Sequence, residues 1–518
     1  MVAPTDPAFA RLVDATLMPS FVGSAPPDWL ARRVERGIGG VCLFAHNVTQ
    51  DVAQLTAALH ALRPGVVVAS DEEGGEVTRL EAATGSSWPG HAALGRFDDL
   101  GTTRRVAHAI GRQSRAAGID LVLAPVVDVG SEPDNPVIGL RGFGSDTDLV
   151  SRHASAFVEG LQSAGVAACA KHFPGHGGTR TDSHVGLPVL DIDAATLRHR
   201  DLPPFAAAVA AGVRAVMTAH VTVPAVDDVP ATLSAVVLRM LREELGFEGL
   251  VVTDALDMRA ISAGVGRGRG AVLALRAGVD LVAIGNPRYP RRYDAEEALQ
   301  QVRAAVLDAV RSGELPAKRL EDAAGRVADL ARWVAAAAEA PGAASGAASD
   351  ASGQGRAERA DRALALRVTR EVVDCGGTPT VRAPLHVIDL RGAPNPAAGR
   401  RPSGIVVALT ARLAVTTVRE VAAGPQPASA LASALAEATG ATLLVLVGAP
   451  HRHPSQQRLL EAVLDARPDA VVASTGLPDA RERLGQHWVH TWGDGRSTGE
   501  AVADLLLGPG PTGGDGSG

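Results

Sequence analysis

Short apolar runs alternate with amphipathic stretches along residues 1 to about 340, and this alternation predicts repeated strand–helix units. The predicted strands are nearly continuous in Val, Ile, Leu and Ala, as expected of parallel strands covered on both faces. They span residues 38–44, 66–70, 121–127, 166–170, 215–219, 250–253 and 281–284. Amphipathic stretches such as residues 233–245 and 295–311 predict helices between and after them.

Polar side chains follow most of these predicted strands directly. They are Asp71, Asp128, Lys171 with His172, His220 and Asp254. In a (β/α)8 barrel the carboxyl ends of all strands share one face, where active sites form. We therefore predict an α/β protein that begins with a TIM-like (β/α)8 barrel, whose eighth strand is short, weak or missing. The alternative is a doubly wound open sheet, but such a sheet gathers ligands at a single crevice.

The composition changes after the predicted barrel. Ala, Gly and Ser dominate from about residue 340 to 360, which is typical of a flexible linker. A helical stretch at 357–373 then leads to strands predicted at 385–390, 405–409, 443–447, 470–474 and 488–491. We therefore predict a barrel over residues 1–340, a linker over 341–360, a smaller α/β domain over 361–508 and a disordered tail over 509–518.

Charge and cysteine usage exclude several classes of protein. The 518 residues carry a net charge of −7 and show no basic stripe, which argues against a nucleic-acid partner. No apolar run approaches the ~20 residues that cross a bilayer, and the N-terminus lacks the features of a signal peptide. We therefore expect a soluble, cytoplasmic protein. Cys42, Cys169 and Cys375 lie far apart and match neither a disulfide framework nor a metal site.

Residues 171–184, Lys-His-Phe-Pro-Gly-His-Gly-Gly-Thr-Arg-Thr-Asp-Ser-His, concentrate titratable side chains on a glycine-rich loop. An aspartate two residues before a histidine, as in Asp182 and His184, can orient the imidazole for proton transfer. The glycines indicate a mobile loop that delivers His184 to a substrate. A zinc site is the alternative, but ligands on one flexible loop are poorly preorganised, and Lys171 would repel a cation.

The other strand ends suit a nucleophile and a polyhydroxylated ligand. Asp254 directly follows an apolar run, and a strand can hold a nucleophilic carboxylate against the reacting centre. A helix cap is the alternative role for this aspartate. Asp71 and Asp128 can accept hydrogen bonds from a sugar. The candidate hydrogen-bond donors are Arg79, Arg141, Lys171 and His172.

Four motifs occur in order between residues 10 and 335: Asp71-Glu-Glu-Gly-Gly, Asn135-Pro-Val-Ile-Gly, Lys171-His-Phe-Pro-Gly-His-Gly with Asp182-Ser-His184, and Thr253-Asp-Ala-Leu. Together they resemble glycoside hydrolase family 3, in its β-N-acetylglucosaminidase branch. The resemblance implies a retaining mechanism in which Asp254 is the nucleophile and His184, held by Asp182, is the general acid/base. It also implies the sugar-binding residues, which are Asp71, Arg79, Arg141, Lys171 and His172.

The resemblance further implies an exo-β-N-acetylglucosaminidase that acts on peptidoglycan fragments or chitin oligosaccharides without a cofactor or metal. Most retaining glycosidases use a second carboxylate as acid/base. A neutral imidazole removes that negative charge, so phosphate is an alternative acceptor and phosphorolysis an alternative reaction. A non-catalytic sugar-binding protein is a third hypothesis, against which the presence of Asp254, Asp182 and His184 argues. The second domain loosely resembles the α/β sandwich of larger family members, and Glu76 stands where many relatives have arginine.

Overall fold

The structure is a computed structural model that describes residues 7–49, 51–289, 292–339, 351–392, 397–399, 402–413, 415–421 and 427–508. Its strands are β1 (Leu17–Met18), β2 (Gly40–Leu43), β3 (Val67–Ser70), β4 (Leu121–Val122), β5 (Ala167–Phe173), β6 (Ala215–Thr218), β7 (Leu250–Thr253), β8 (Val282–Ala283), β9 (Asp374–Gly376), β10 (Leu385–Asp389), β11 (Val415–Glu420), β12 (Thr442–Val447), β13 (Val471–Ser474) and β14 (His487–His490).

The helices are α1 (Pro7–Asp14), α2 (Asp28–Glu35), α3 (Val52–Leu62), α4 (His91–Phe97), α5 (Leu100–Ala116), α6 (Thr147–Ser163), α7 (Ala194–Thr196), α8 (Pro203–Ala210), α9 (Ala235–Arg239), α10 (Arg259–Ser262), α11 (Arg267–Ala277), α12 (Ala295–Arg311), α13 (Ala317–Glu339), α14 (Ala351–Val372), α15 (Gly404–Thr410), α16 (Pro427–Glu437), α17 (Pro454–Ala466) and α18 (Arg496–Leu507). Short 3-10 or π turns span Gly139–Arg141, Leu197–Asp201, Ala231–Leu233, Met240–Glu244 and Pro450–Arg452.

The first domain is a curled parallel sheet with helices between its strands. Strands β2 to β7 pair in sequence order, and β1 pairs in parallel with β8. Backbone hydrogen bonds reach this pair from both edges of the larger sheet: Cys42 N donates to Pro19 O at 2.9 Å, and Thr253 N donates to Leu281 O at 3.0 Å. The α/β class is confirmed, and β1 is a short further strand that the sequence did not reveal. A regular (β/α)8 barrel stays a prediction.

Both faces of this sheet are buried. On β3, Val67 and Ala69 belong to one apolar cluster, while Val68 belongs to the other. Helix α13 contributes Val327 and Leu330 to the same cluster as Val67. Because residues on either side of each strand are covered, the strands read as continuous apolar runs rather than as alternating ones.

The second domain contains a six-stranded sheet in the order β11-β10-β12-β13-β14-β9, in which only β9 is antiparallel to its neighbour among the described strands. Four of its five predicted strands match β10, β12, β13 and β14. The strand predicted at 405–409 is wrong, because these residues lie in α15. Ser403 Oγ accepts a hydrogen bond from Val406 N at 3.3 Å and caps this helix. A short apolar run does not distinguish a strand from a buried helix by periodicity alone.

Two predicted segments fall partly or wholly outside the described residues. Residues 340–350, which include the first half of the predicted linker 341–360, and the predicted tail 509–518 are not described. Helix α14 begins at Ala351, inside the predicted linker. The division of the chain at these points stays a prediction. Within the described ranges, no helix has both the length and the apolar character needed to cross a membrane.

Candidate active site

A network of buried charges joins β5 to the loops that follow β3 and β4. Lys171 Nζ lies 2.8 Å from Asp71 Oδ1 and 2.6 Å from Glu73 Oε1. Arg141 binds both oxygens of Glu73, through Nε at 2.9 Å and Nη2 at 2.8 Å. Arg79 Nη2 lies 3.0 Å from Asp71 Oδ2. Each carboxylate therefore has two cationic partners, and the pairing offsets the cost of burying the charges.

The same pairs keep both carboxylates ionised. Burial alone would raise the pKa of Asp71, but Lys171 and Arg79 outweigh it and lower that pKa to about 2. Arg141 and Lys171 likewise overcome burial and hold the pKa of Glu73 well below its ordinary range. The side chain of Asp71 is 16% exposed and that of Glu73 only 1%. Asp71 is therefore the carboxylate of this pair that a ligand can reach.

Asp128 orients the chain at the end of β5. Its Oδ2 lies 2.7 Å from His172 Nδ1, and its Oδ1 accepts a hydrogen bond from His176 N at 2.7 Å. His172 Nε2 in turn lies 3.5 Å from Arg141 Nη2. Burial raises the pKa of Asp128, but the two histidines outweigh it and bring that pKa below its ordinary value. Asp128 is buried, and its bonds to the ring of His172 and to the backbone of His176 hold the end of β5 in place.

Asp182 and His184 form the pair that their spacing predicts. His184 Nδ1 lies 2.8 Å from Asp182 Oδ1, and the same oxygen accepts a hydrogen bond from His184 N at 2.8 Å. Burial raises the pKa of Asp182, whereas His184 lowers it, and the net pKa is below the ordinary value. The imidazole is partly exposed, and its ring centre lies 6.5 Å from that of Tyr289. The pairing through Nδ1 directs Nε2 away from the carboxylate.

Asp254 follows β7 and completes the group. Its backbone N donates to Thr218 O at 3.2 Å, and its Oδ1 accepts from Ala255 N at 2.7 Å. Burial raises the pKa of this carboxyl, but nearby histidines outweigh burial and lower it below its ordinary value, which keeps Asp254 ionised at neutral pH. These histidines are His220, His172 and His184. Residues far apart in sequence therefore act on one carboxylate.

Several residues of the site were not predicted from the sequence. Glu73 is the buried partner of Arg141, although it stands inside the motif that begins at Asp71. Asp257 accepts a hydrogen bond from Asn286 N at 3.0 Å, and burial raises its pKa to about 7. It thereby braces the loop after β8 that carries Tyr289. Glu73 could have been predicted as a site residue from its position directly beyond a strand end. Asp257 could not, because its contact with Asn286 joins two different loops.

The second domain contacts the first at the loop after β3. Asp494 N donates to Glu76 Oε1 at 3.1 Å, and Arg496 N donates to Ser86 O at 2.9 Å. A second contact joins Arg481 Nη2 to Asp134 Oδ1 at 2.8 Å. Glu76 therefore lies at the boundary between the domains.

The histidines of residues 171–184 bond to carboxylates and hydroxyls of the chain. His176 Nδ1 lies 2.7 Å from Thr179 Oγ1, and its Nε2 lies 3.3 Å from Ser183 Oγ. Across the part of the chain that the structure describes, no group of three His, Cys, Asp or Glu side chains is arranged to hold a metal ion.

Comparison with known proteins places the chain in context. The family model described as Glycosyl hydrolase family 3 N terminal domain matches residues 28–330. The chain is 36% identical over 337 residues to Beta-hexosaminidase A of Pseudoalteromonas piscicida; this match covers 59% of the chain and only 55% of that protein. It is 41% identical over 273 residues to a Beta-hexosaminidase of Chromobacterium violaceum, covering 50% of the chain and 74% of that protein.

A solved structure matches nearly the whole chain. It is a glycoside hydrolase family 3 β-N-acetylglucosaminidase from Paenibacillus sp. str. FPU-7, which is 32% identical to the chain. The superposition has a TM-score of 0.82 and covers 96% of each chain. The similarity therefore extends through both domains.

Replacing Lys171 with Met is expected to destabilise the first domain by about 3 kcal/mol, because Asp71 and Glu73 lose the cation that they share. The chain's other lysine, Lys318, provides a matched control, since it is exposed and pairs only within its own helix. Lys318→Met is expected to cost less than about 0.5 kcal/mol. Urea unfolding of both variants measures the difference, and equal midpoints would contradict a stabilising network around Lys171.

Proposed function

This chain belongs to glycoside hydrolase family 3, and we propose that it is a retaining exo-β-N-acetylglucosaminidase. The observation that carries the proposal is the grouping of an ionised Asp254 with an imidazole that a second carboxylate orients. A double displacement requires one group that attacks carbon and another that transfers a proton. We propose Asp254 for the first role and His184, held by Asp182, for the second.

In the first step a carboxylate oxygen of Asp254 attacks the anomeric carbon of the sugar. The glycosidic bond breaks, and its electron pair stays with the departing oxygen, which takes a proton from Nε2 of the protonated imidazole of His184. The Asp182 carboxylate stabilises the imidazolium before this transfer. The products are the released leaving group and a glycosyl ester on Asp254.

In the second step the now neutral His184 takes a proton from water, whose oxygen attacks the anomeric carbon. The ester bond breaks and Asp254 leaves as a carboxylate. Two inversions at the same carbon retain the β configuration. Because a carboxylate and an imidazole accomplish both steps, the mechanism calls for no cofactor.

We propose that the charge network binds the terminal sugar. Asp71 would accept hydrogen bonds from its hydroxyl groups, and charged donors would supply bonds stronger than those of neutral groups. The proposed charged donors are Arg79, Arg141 and Lys171, and His172 is a further proposed donor. If β1 and β8 complete a (β/α)8 barrel, as we also propose, all of these residues line its carboxyl-terminal rim.

The proposed substrate is a β-linked terminal N-acetylglucosamine on a chitin oligosaccharide or a peptidoglycan fragment. The Paenibacillus β-N-acetylglucosaminidase and the two hexosaminidases support the choice of sugar. Phosphorolysis by the same site is the second candidate, because the proposed acid/base is an imidazole and not a carboxylate that would repel phosphate. The cytoplasmic location expected from the sequence stays a prediction.

Asp254→Ala is expected to lower kcat for p-nitrophenyl β-N-acetylglucosaminide roughly 10⁵-fold, because the attacking group is lost. Azide is small enough to enter the vacated space, so it is expected to restore turnover and to give the α-glycosyl azide by a single inversion. Product analysis by NMR distinguishes this anomer. Near wild-type turnover without azide would contradict the assignment of the nucleophile.

His184→Ala is expected to lower kcat/KM for chitobiose roughly 10³-fold, because the departing sugar alcohol needs a proton. The loss should be far smaller for the p-nitrophenyl glycoside, whose leaving group departs as a stable anion. Azide should now give the β-glycosyl azide, formed by attack on the covalent intermediate. Equal losses with the two substrates would rule against a general-acid role.

The acceptor can be identified by incubating the enzyme with chitobiose and with a muropeptide, each with and without phosphate. We expect free N-acetylglucosamine in every reaction that proceeds. The substrate that is cleaved faster, chitobiose or the muropeptide, identifies the preferred leaving group. The rate should not depend on phosphate. Accumulation of N-acetylglucosamine 1-phosphate would contradict hydrolysis and show that the reaction is phosphorolysis.

A further inference from the structure

We propose that Asn135 is a positioning residue that holds the acid/base loop, defined here as residues 175–187, where His184 reaches the substrate. The proposal rests on the proposed function, since it assumes that His184 transfers the proton. Asn135 lies on the loop after β4, and the acid/base loop follows the neighbouring strand β5. Its side chain is buried between the two loops.

The amide nitrogen of Asn135 binds the backbone of the acid/base loop. Nδ2 donates a hydrogen bond to His176 O at 2.8 Å and to Thr179 O at 3.0 Å, and Gly177 O lies 3.2 Å away. These carbonyls bracket the tight turn that follows β5. One side chain therefore holds both ends of the turn.

The amide oxygen of Asn135 fixes the orientation of the group. Oδ1 accepts hydrogen bonds from Val137 N at 2.9 Å and from Ile138 N at 2.7 Å. Because these partners are donors, the amide cannot rotate to exchange its oxygen and nitrogen without losing bonds on both sides. The same segment leads directly to the turn that carries Arg141, so Asn135 joins the loop to the sugar-binding network.

We call the hydrogen bonds of Asn135 to the acid/base loop the clamp. The clamp is connected to His184 through the ring of His176. The ring bonds to Thr179 Oγ1 on one side and to Ser183 Oγ, the residue before His184, on the other. Ser183 O also accepts a hydrogen bond from Ala260 N at 3.2 Å. Beyond Ser183, Val185 and Leu187 are exposed and bury little apolar surface. The position of His184 therefore depends mainly on polar contacts, and Asn135 provides several of those at the start of the loop.

A role in catalysis must be separated from a role in folding, because any buried and fully bonded amide stabilises the chain. Asn135→Asp makes this separation feasible. The variant keeps the size of the side chain and the oxygen that accepts from Val137 and Ile138. It replaces the donor with a carboxylate oxygen that faces the carbonyls of His176 and Thr179 and adds a negative charge there.

Asn47 provides a matched control. It is fully buried, its Nδ2 donates to Phe21 O at 2.9 Å and to Gly23 O at 2.8 Å, and its Oδ1 accepts from Phe44 N at 2.9 Å. These bonds join the loops after β1 and β2, so they do not touch the acid/base loop. Asn47→Asp removes the same kind of donor at a similar cost in stability.

Asn135→Asp is expected to lower kcat/KM for chitobiose roughly 10²-fold, since a small misplacement of a catalytic group has an effect of that size. The p-nitrophenyl glycoside, which needs no proton from the enzyme, should lose much less. In the background of His184→Ala, Asn135→Asp should cause no further loss with chitobiose, because the group that it positions is already absent. Asn47→Asp should lower kcat/KM by the same factor for both substrates. Its effect should add fully to that of His184→Ala.

Equal losses with both substrates, or an undiminished further loss in the His184→Ala background, would overturn the proposal and leave Asn135 a structural residue. Hydrogen exchange provides a readout that does not depend on the reaction. Amides of residues 176–187 should exchange faster in Asn135→Asp than in the wild type and in Asn47→Asp; unchanged exchange would also overturn the proposal. A third outcome is that amide exchange is faster in Asn135→Asp while His184→Ala lowers kcat/KM equally for both substrates. That result would support the role of Asn135 in holding the loop and contradict the proposed role of His184.

Discussion

The pairing of buried charges at the strand ends is the interaction on which the rest of the site depends. Asp71 and Glu73 share Lys171, and each carboxylate has an arginine of its own. Removing these charges from water is costly, and close partners from β5 and from the loops after β3 and β4 offset that cost. Parallel strands bring their carboxyl ends together, so the loops that follow β3 and β4 can meet the end of β5 and supply those partners. The result is a buried polar floor in which Asp71 is more exposed than Glu73.

The proposed proton-transfer pair is held in place in a different way. Asp182 and His184 lie on a glycine-rich loop above this floor, and hydrogen bonds rather than apolar packing hold the loop in place. A mobile loop was predicted from the glycines, but the bonds from Asn135 and Asp128 tie its first turn to the loop after β4. The proposed sugar-binding and proton-transfer groups are therefore held by different kinds of contact, buried ion pairs for the first and loop hydrogen bonds for the second. This division suits a group that first donates a proton to one partner and then accepts one from another.

Much of the site follows from the sequence, because an apolar run identifies a strand and its end identifies the rim. Asp71, Lys171 and Asp254 were identified in this way, and the Asp-x-His spacing on a glycine-rich loop predicted the contact between Asp182 and His184. It did not identify Glu73, because which neighbouring acidic side chain turns inward depends on the turn at Gly74 and Gly75, where φ is positive. Contacts between loops, such as those of Asn135, are set by tertiary structure. For the same reason a short apolar run in the second domain, α15, was assigned to a strand.

The central claim is that Asp254 forms a covalent bond to the sugar. The most direct measurement uses a 5-fluoro derivative of N-acetylglucosaminyl fluoride, whose ring fluorine slows both steps while its good leaving group keeps the first step faster than the second. Mass spectrometry of the digested protein should find the added sugar on the peptide that contains Asp254. A sugar attached to another residue, or steady consumption of the reagent with no covalent species at any time, would contradict the account.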